Sequence, residues 1–246
     1  MPTVALFVTC LGDQFAPHTV HATVRLLEAA GCQVEVPLDQ TCCGQPGVTA
    51  GEPEAAALLA QHFVEVFESF DAIVAPSGSC ASTVHHWYER LLDPLGDDWR
   101  TRAQSVAQHT YELTQYLVDV LGRTDLGAQV NRRVTVHDAC HGLRNLGVRD
   151  QPRALLAAAG AELVEMHEPE TCCGFGGSFS LEYSAVAAHL ADDKLAMSAG
   201  TDASCVVMCD TACLLHLRGR RERTGAGPTP LHIADVLAAG LDADQS

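Results

Sequence analysis

One spacing recurs in this chain and constrains its fold more than any other feature. Cys10 and Cys42 have thirty-one residues between them, and so do Cys140 and Cys172. Each spacing ends on the same triplet, Cys42-Cys43-Gly44 and Cys172-Cys173-Gly174. The flanking text matches as well: "VALFVTC" (4–10) against "VTVHDAC" (134–140), and "LLEAAGCQVEV" (26–36) against "LLAAAGAELVE" (155–165). Each half then runs through a helical pattern into a short apolar segment, "DAIVAP" or "ASCVVM", and reaches a further cysteine, Cys80 or Cys213. Self-similarity of this kind is the mark of a duplicated structural unit.

Within each half the order reads strand, helix, strand, double-cysteine loop, helix, strand, cysteine-bearing turn, helix. Helices end at Gly31 and Gly160, where a left-handed cap is expected. The strands are short, apolar and β-branched, as in a sheet covered on both faces. Alternation of this type predicts two pseudo-repeated α/β units with mostly parallel sheets. The expected division is residues 1–122 and 133–240, with one further helix and a polar joint within 97–133. Loops beyond the C-terminal ends of parallel strands gather at one rim of a sheet, where ligands bind. Cys10, Cys42, Cys43 and Cys80 all follow predicted strand ends, as do Cys140, Cys172, Cys173 and Cys213. Four thiols per half are therefore expected to converge.

The totals exclude several alternatives. A chain of 246 residues buries a core without disulfide staples. Its net charge of −16 argues against nucleic acid or an anionic membrane as partner. No apolar run approaches the ~18 residues of a membrane span. The start lacks the basic region and cleavage site of an export signal, so a cytoplasmic location is expected. In a reducing compartment the eleven cysteines are read as thiols or metal ligands. Cys32 and Cys205 lie within apolar strand text and read as core.

Thiolates suit iron–sulfur clusters, zinc or copper(I). Adjacent cysteines crowd awkwardly around one zinc ion, whereas a cluster offers each thiolate a separate iron. A 4Fe–4S cluster, one or two per chain, is the favoured reading and zinc the alternative. In the second half His137, Asp138 and His141 surround Cys140, where Val8, Thr9 and Leu11 stand around Cys10. Such a histidine donates to a cluster sulfur, moves a proton, or caps a strand end. Arg144 pairs with a substrate carboxylate or forms a surface ion pair. These four are the candidates for a catalytic role.

The motifs "VHDACHGLRNLG", "CCGFGGSFS", "CDTACLLHLRG" and "LHIADVLAAG" resemble the cysteine-rich CCG-domain proteins over nearly the whole chain. That family includes the B subunit of heterodisulfide reductase and the iron–sulfur subunit of glycolate oxidase. The resemblance implies an oxidoreductase subunit, not catalytic alone, that transfers electrons in a multi-protein system oxidising L-lactate to pyruvate. It implies a ferredoxin-like iron–sulfur partner and a third protein. The family pattern closes each unit with C-x-x-C, but here Ser77 and Asp210 stand where the first cysteine of that pair belongs. The resemblance therefore puts a plain cubane cluster, or one with Asp210 as an oxygen ligand, beside the noncubane form of the heterodisulfide reductase relative. Cys209 is a further candidate ligand. A zinc-stabilised docking subunit without redox role is the competing function.

Overall fold

The computed structural model describes residues 1–241. The first half comprises β1 (Thr3–Leu6), α1 (Cys10–Phe15), α2 (Pro17–Ala29), β2 (Gln33–Glu35), α3 (Gln45–Ala50), α4 (Pro53–Phe67), β3 (Ile73–Ala75) and α5 (Gly78–Leu92). It continues through α6 (Asp97–Gln108), β4 (Thr110–Glu112) and α7 (Leu113–Gln115), which runs into a π-helical turn at Tyr116–Val120. The second half comprises β5 (Arg133–Val136), α8 (Cys140–Leu146), α9 (Asp150–Ala158), β6 (Glu162–Leu163), α10 (Phe179–Glu182), α11 (Ser184–Ala199), β7 (Cys205–Met208), α12 (Thr211–Thr224), β8 (Thr229–His232) and α13 (Ile233–Leu241).

The strands form two parallel four-stranded sheets, ordered β2-β1-β3-β4 and β6-β5-β7-β8. The α/β repeat read from the sequence is present, with one addition. Each half holds a fourth strand, β4 or β8, beyond its last cysteine. The two occupy equivalent registers, Glu112 opposite Ala75 and His232 opposite Met208. Both are short edge strands with polar residues or Pro230, so they lack the apolar run that marks β3 and β7.

The last helical segment of each half packs on the other half. α13 lies against α2, while α7 and its π turn lie against α9. Thr19 Oγ1 donates to Asp235 Oδ2 at 3.0 Å, and Gln151 Nε2 donates to Asp119 Oδ2 at 2.7 Å, across these two junctions. One apolar cluster accordingly draws on both halves, joining Val4, Leu26 and Leu113 to Val134, Leu155 and Leu237. Cys32 and Cys205 are buried within it. Two outer clusters, one per half, fill the opposite faces of the sheets. Among the described residues no helix is long and apolar enough to cross a membrane.

Candidate metal centres

In each half one cysteine opens the helix after the first strand, two lie in the loop after the second, and one sits in the first turn of the helix after the third. Cys10 and Cys140 begin α1 and α8; Cys80 and Cys213 occupy the third position of α5 and α12. The parallel strands bring these starts to one rim, and the first turn of a helix presents partial positive charge that favours a thiolate.

The thiols of each half meet as a continuous chain. Cys10 Sγ lies 3.5 Å from Cys42 Sγ, and the Cys43 thiol is coupled to those of Cys42 and Cys80. In the second half the Cys172 thiol is coupled to those of Cys140 and Cys173, and Cys173 Sγ lies 3.0 Å from Cys213 Sγ. All eight are free thiols. The hydrogen bonds from flanking thiols push Cys42 and Cys172 down, while the same bonds push Cys10, Cys43, Cys140 and Cys173 up. A bound cation would let the crowded sulfurs ionise together.

The glycine after each pair has two functions. Gly44 and Gly174 adopt φ +85° and +91°. A Cβ at Gly174 would sit 2.5 Å from the Ala187 carbonyl oxygen, and one at Gly44 would sit 3.3 Å from that of Ala56. The loop thus presses against α11 or α4 and needs a residue without a side chain. In the same conformation the Gly44 and Gly174 N–H groups donate to Cys42 Sγ and Cys172 Sγ at 3.5 and 3.3 Å. Such bonds stabilise a thiolate.

The two closing turns are bonded to each other. Asp210 Oδ1 accepts from the Ala212 and Cys213 N–H groups of its own helix, at 3.0 and 3.3 Å. Its Oδ2 accepts from Ser79 N at 2.7 Å and from Ser77 Oγ at 3.1 Å in the other half. Asp210 therefore caps α12 and α5 together and holds the turns bearing Cys213 and Cys80. Four donors occupy the lone pairs of both oxygens, an arrangement suited to a positioning role.

The other candidates divide by environment. One ring nitrogen of His137 and the Sγ atoms of Cys173 and Cys213 all lie within 4.8 Å of one another. His137 is buried with neither ring nitrogen hydrogen-bonded, and burial, with Lys194 adding to it, pushes its pKa down to about 4. Asp138 is buried and held by Arg153 through two bonds of 2.8 and 3.0 Å; Arg153 also grips Glu165. His141 is half-buried, its Nδ1 3.7 Å from Cys140 Sγ. Arg144 is exposed on the last turn of α8. Cys209 is buried in the central core, and its carbonyl accepts from Gly78 N at 3.1 Å. A small cavity beside the second set, about 50 Å³, is lined by Cys140, His141, Cys172 and Cys213 together with Gln45 and Ser79 of the first half. A larger hollow of about 280 Å³ opens at Cys10 and Cys42 between Gln14, Leu38 and Gln40.

Some supporting residues carry little sequence signal. Gln40 accepts from Val8 N at 2.7 Å and donates to Pro37 and Leu6 carbonyls, fixing the approach to Cys42. Tyr88 Oη donates to the Cys43 carbonyl at 3.1 Å. Lys194 is discernible as the sole lysine of the chain, but its surroundings are not.

The cysteine-rich CCG domain family model matches residues 4–85 and 134–218, the two stretches that carry the thiol sets. The chain belongs to the CCG cysteine-rich family. It is 43% identical over 235 residues to lactate utilization protein A of Bacillus cytotoxicus, covering 95% of this chain and 98% of that one. Lactate utilization protein A 1 of Bacillus cereus strain AH820 gives the same figures. So does lactate utilization protein A 2 of Bacillus mycoides, again 43% identical over 235 residues. Among solved structures, glutamate racemase RacE1 from Bacillus anthracis aligns with a TM-score of 0.40 at 12% identity, covering 99% of this chain and 80% of that one.

Proposed function

We propose that this CCG-family chain is an iron–sulfur electron-transfer subunit of a multi-protein, cytoplasmic system for lactate utilization. The supporting observation is the pair of four-thiol sets, one per half, with the Cys10 and Cys42 sulfurs 3.5 Å apart in the first, the Cys173 and Cys213 sulfurs 3.0 Å apart in the second, and all eight thiols free. Cys10, Cys42, Cys43 and Cys80 form one ligand set, and Cys140, Cys172, Cys173 and Cys213 the other. The donor set fits: four soft sulfurs, two from adjacent residues, with backbone N–H groups on the thiolates. When bound, such a group supplies one-electron transfer. The residues of this chain hold it, donate to its sulfur ligands, and screen it with the apolar clusters behind Cys43 and Cys173. The similarity to lactate utilization A proteins supports the pathway. A ferredoxin-like partner and a third protein complete the oxidation of L-lactate to pyruvate, since no flavin or nicotinamide motif is present in the sequence.

A second reading rests on one observation. His137 with Cys173 and Cys213 offers a nitrogen and two sulfurs within 4.8 Å, a donor set zinc accepts. Metal and acid-labile sulfide analysis of oxygen-free protein separates the two. Near-equal iron and sulfide, about four of each per thiol set, supports electron transfer. Zinc without sulfide overturns it in favour of a docking subunit.

A further inference from the structure

The two halves differ beneath their thiols. Gly44 abuts Ala56 and Leu59 of α4, and Gly174 abuts Ala187 and Leu190 of α11, which aligns the two helices. In that alignment the buried positions Ala56, Ala60, Phe63, Val64 and Phe67 correspond to Ala187, Ala191, Lys194, Leu195 and Ser198. On the facing strands Phe7 corresponds to His137. In the first half Phe7 and Phe63 make an edge-to-face pair at 4.9 Å, and Phe7 and Phe67 another at 5.7 Å. The second half puts a histidine and the only lysine of the chain in their place.

Lys194 has no solvent exposure. Its Nζ is surrounded by three acceptors, the Glu168 carbonyl at 2.9 Å, the Pro169 carbonyl at 3.2 Å and Met166 Sδ at 3.9 Å. That arrangement matches the three donors of an ammonium. Among the described residues no carboxylate lies within ion-pair distance of it. A buried cation without a counter-ion is costly. The charges that couple to it are, in order, those of Glu170, Cys173, Asp138 and Cys172, so two thiols of the second set stand among its partners, and its field also acts on Cys213. It simultaneously holds the backbone at Glu168, which has φ +50°, four residues ahead of Cys172.

We propose that Lys194 is the built-in counter-charge of the second thiol set, a positioning residue that makes this set hold negative charge more readily than the first. The inference rests on the soft-metal reading above and adds an asymmetry to it: electrons distribute toward the second half. The mechanism is Coulombic. A fixed positive charge in a site screened from water stabilises the thiolate ligands and any electron added to what they hold. The first half, with Phe63 at this position, has no such charge.

The test uses Lys194→Met, which keeps the shape of the side chain, and Lys194→Gln, which keeps hydrogen-bond donors to the two carbonyls but not the charge. Both are loaded with iron and sulfide without oxygen and titrated by electron spin resonance. Cys172→Ser identifies the signal of the second half. The expected result is that both variants weaken electron uptake at the second centre about tenfold, ~59 mV for a one-electron couple, and leave the first unchanged. A wild-type potential in Lys194→Gln, or equal shifts at both centres, overturns the proposal and leaves a simple loop tether. If wild-type protein takes up no iron and sulfide, the electron-transfer reading falls. Lys194 is then judged on metal-free reduced protein by iodoacetamide labelling. Labelling of Cys172 slowed at least threefold in Lys194→Met, with Cys42 unaffected, supports the counter-charge; equal rates overturn it.

Discussion

The carboxylate of Asp210 accepts the backbone N–H of Ser79 at 2.7 Å, a bond between equivalent turns of two repeats 131 residues apart. With Ser77 Oγ on the same oxygen and two N–H groups of α12 on the other, one buried side chain sets the start of both cysteine-bearing helices. The closing turns are joined further by Gly78 N to the Cys209 carbonyl and by Thr211 Oγ1 to the Pro76 carbonyl, each at 3.1 Å. The two sites are therefore mechanically linked, although their ligand sets are separate.

Asp210→Ala should destabilise the protein by about 2–4 kcal/mol, because it removes a cap and leaves donors of two helices unsatisfied in a buried place. Asp210→Asn retains acceptors on one oxygen only and should fall between. Urea unfolding measures both. If Asp210 acts as a shared cap, Ser77→Ala and Asp210→Ala will be non-additive in a double-mutant cycle. Additive losses would show that the two turns are independent.

The glycines of the CCG triplets should differ in tolerance. Gly174→Ala forces a Cβ to 2.5 Å from a backbone oxygen of α11, whereas Gly44→Ala meets its counterpart at 3.3 Å. Both incur the strain of positive φ, about 1–2 kcal/mol. Gly174→Ala should therefore be the more damaging by at least ~1 kcal/mol, through the added clash. Denaturant midpoints of the two variants give the order directly, and a reversed order would contradict the packing of this loop.

The grouping of Cys10, Cys42, Cys43 and Cys80 is legible in the sequence because a parallel α/β repeat delivers every βα loop to one rim. What the sequence did not reveal is how the halves interlock. The strands β4 and β8 are three and four residues long, at sheet edges, and carry Glu112 or Pro230 and His232 instead of apolar text. The crossing of α13 onto α2 follows from the shared core, a tertiary fact with no local signal. Asp210 stands out in the sequence only as the residue at the place of a family cysteine; its partners Ser77 and Ser79 lie in the other repeat, where no local pattern points to them. Lys194 was visible as a singular residue, yet nothing in "ADDKLAM" distinguishes it from a surface lysine on α11.

Metal content should follow the two sets separately. Cys172→Ser or Cys173→Ser should remove about half of the bound iron and leave the signal of the first half. Cys42→Ser should do the converse. Cys32→Ser, in the central core and remote from both chains of thiols, should retain full iron and sulfide. Loss of metal in the Cys32 variant would place that residue in a site and contradict its burial in the core.

The stability of the metal-free reduced protein should respond to pH through two buried groups of opposite sign. Glu112 is fully buried with Oε1 lacking a partner, and desolvation pushes its carboxyl up to about 7. The folded state then binds its proton more tightly than the unfolded chain, so between the ordinary carboxyl value and about 7 stability falls as pH rises. His137 is held down to about 4 chiefly by burial. Between about 4 and its ordinary value the unfolded chain binds the proton and the folded one does not, so stability rises with pH. The windows overlap, and the contributions of these two groups should largely cancel between about pH 4.5 and 6.5. Replacing either group unmasks the other. Glu112→Gln should leave a stability that climbs with pH in this window and should exceed wild type by up to about 3 kcal/mol above pH 7. His137→Phe, which installs the residue found at the same place in the first half, should leave a stability that declines over the same range. Urea midpoints from pH 4.5 to 8 for the three proteins decide the matter, since parallel profiles would mean that neither group titrates where its surroundings place it.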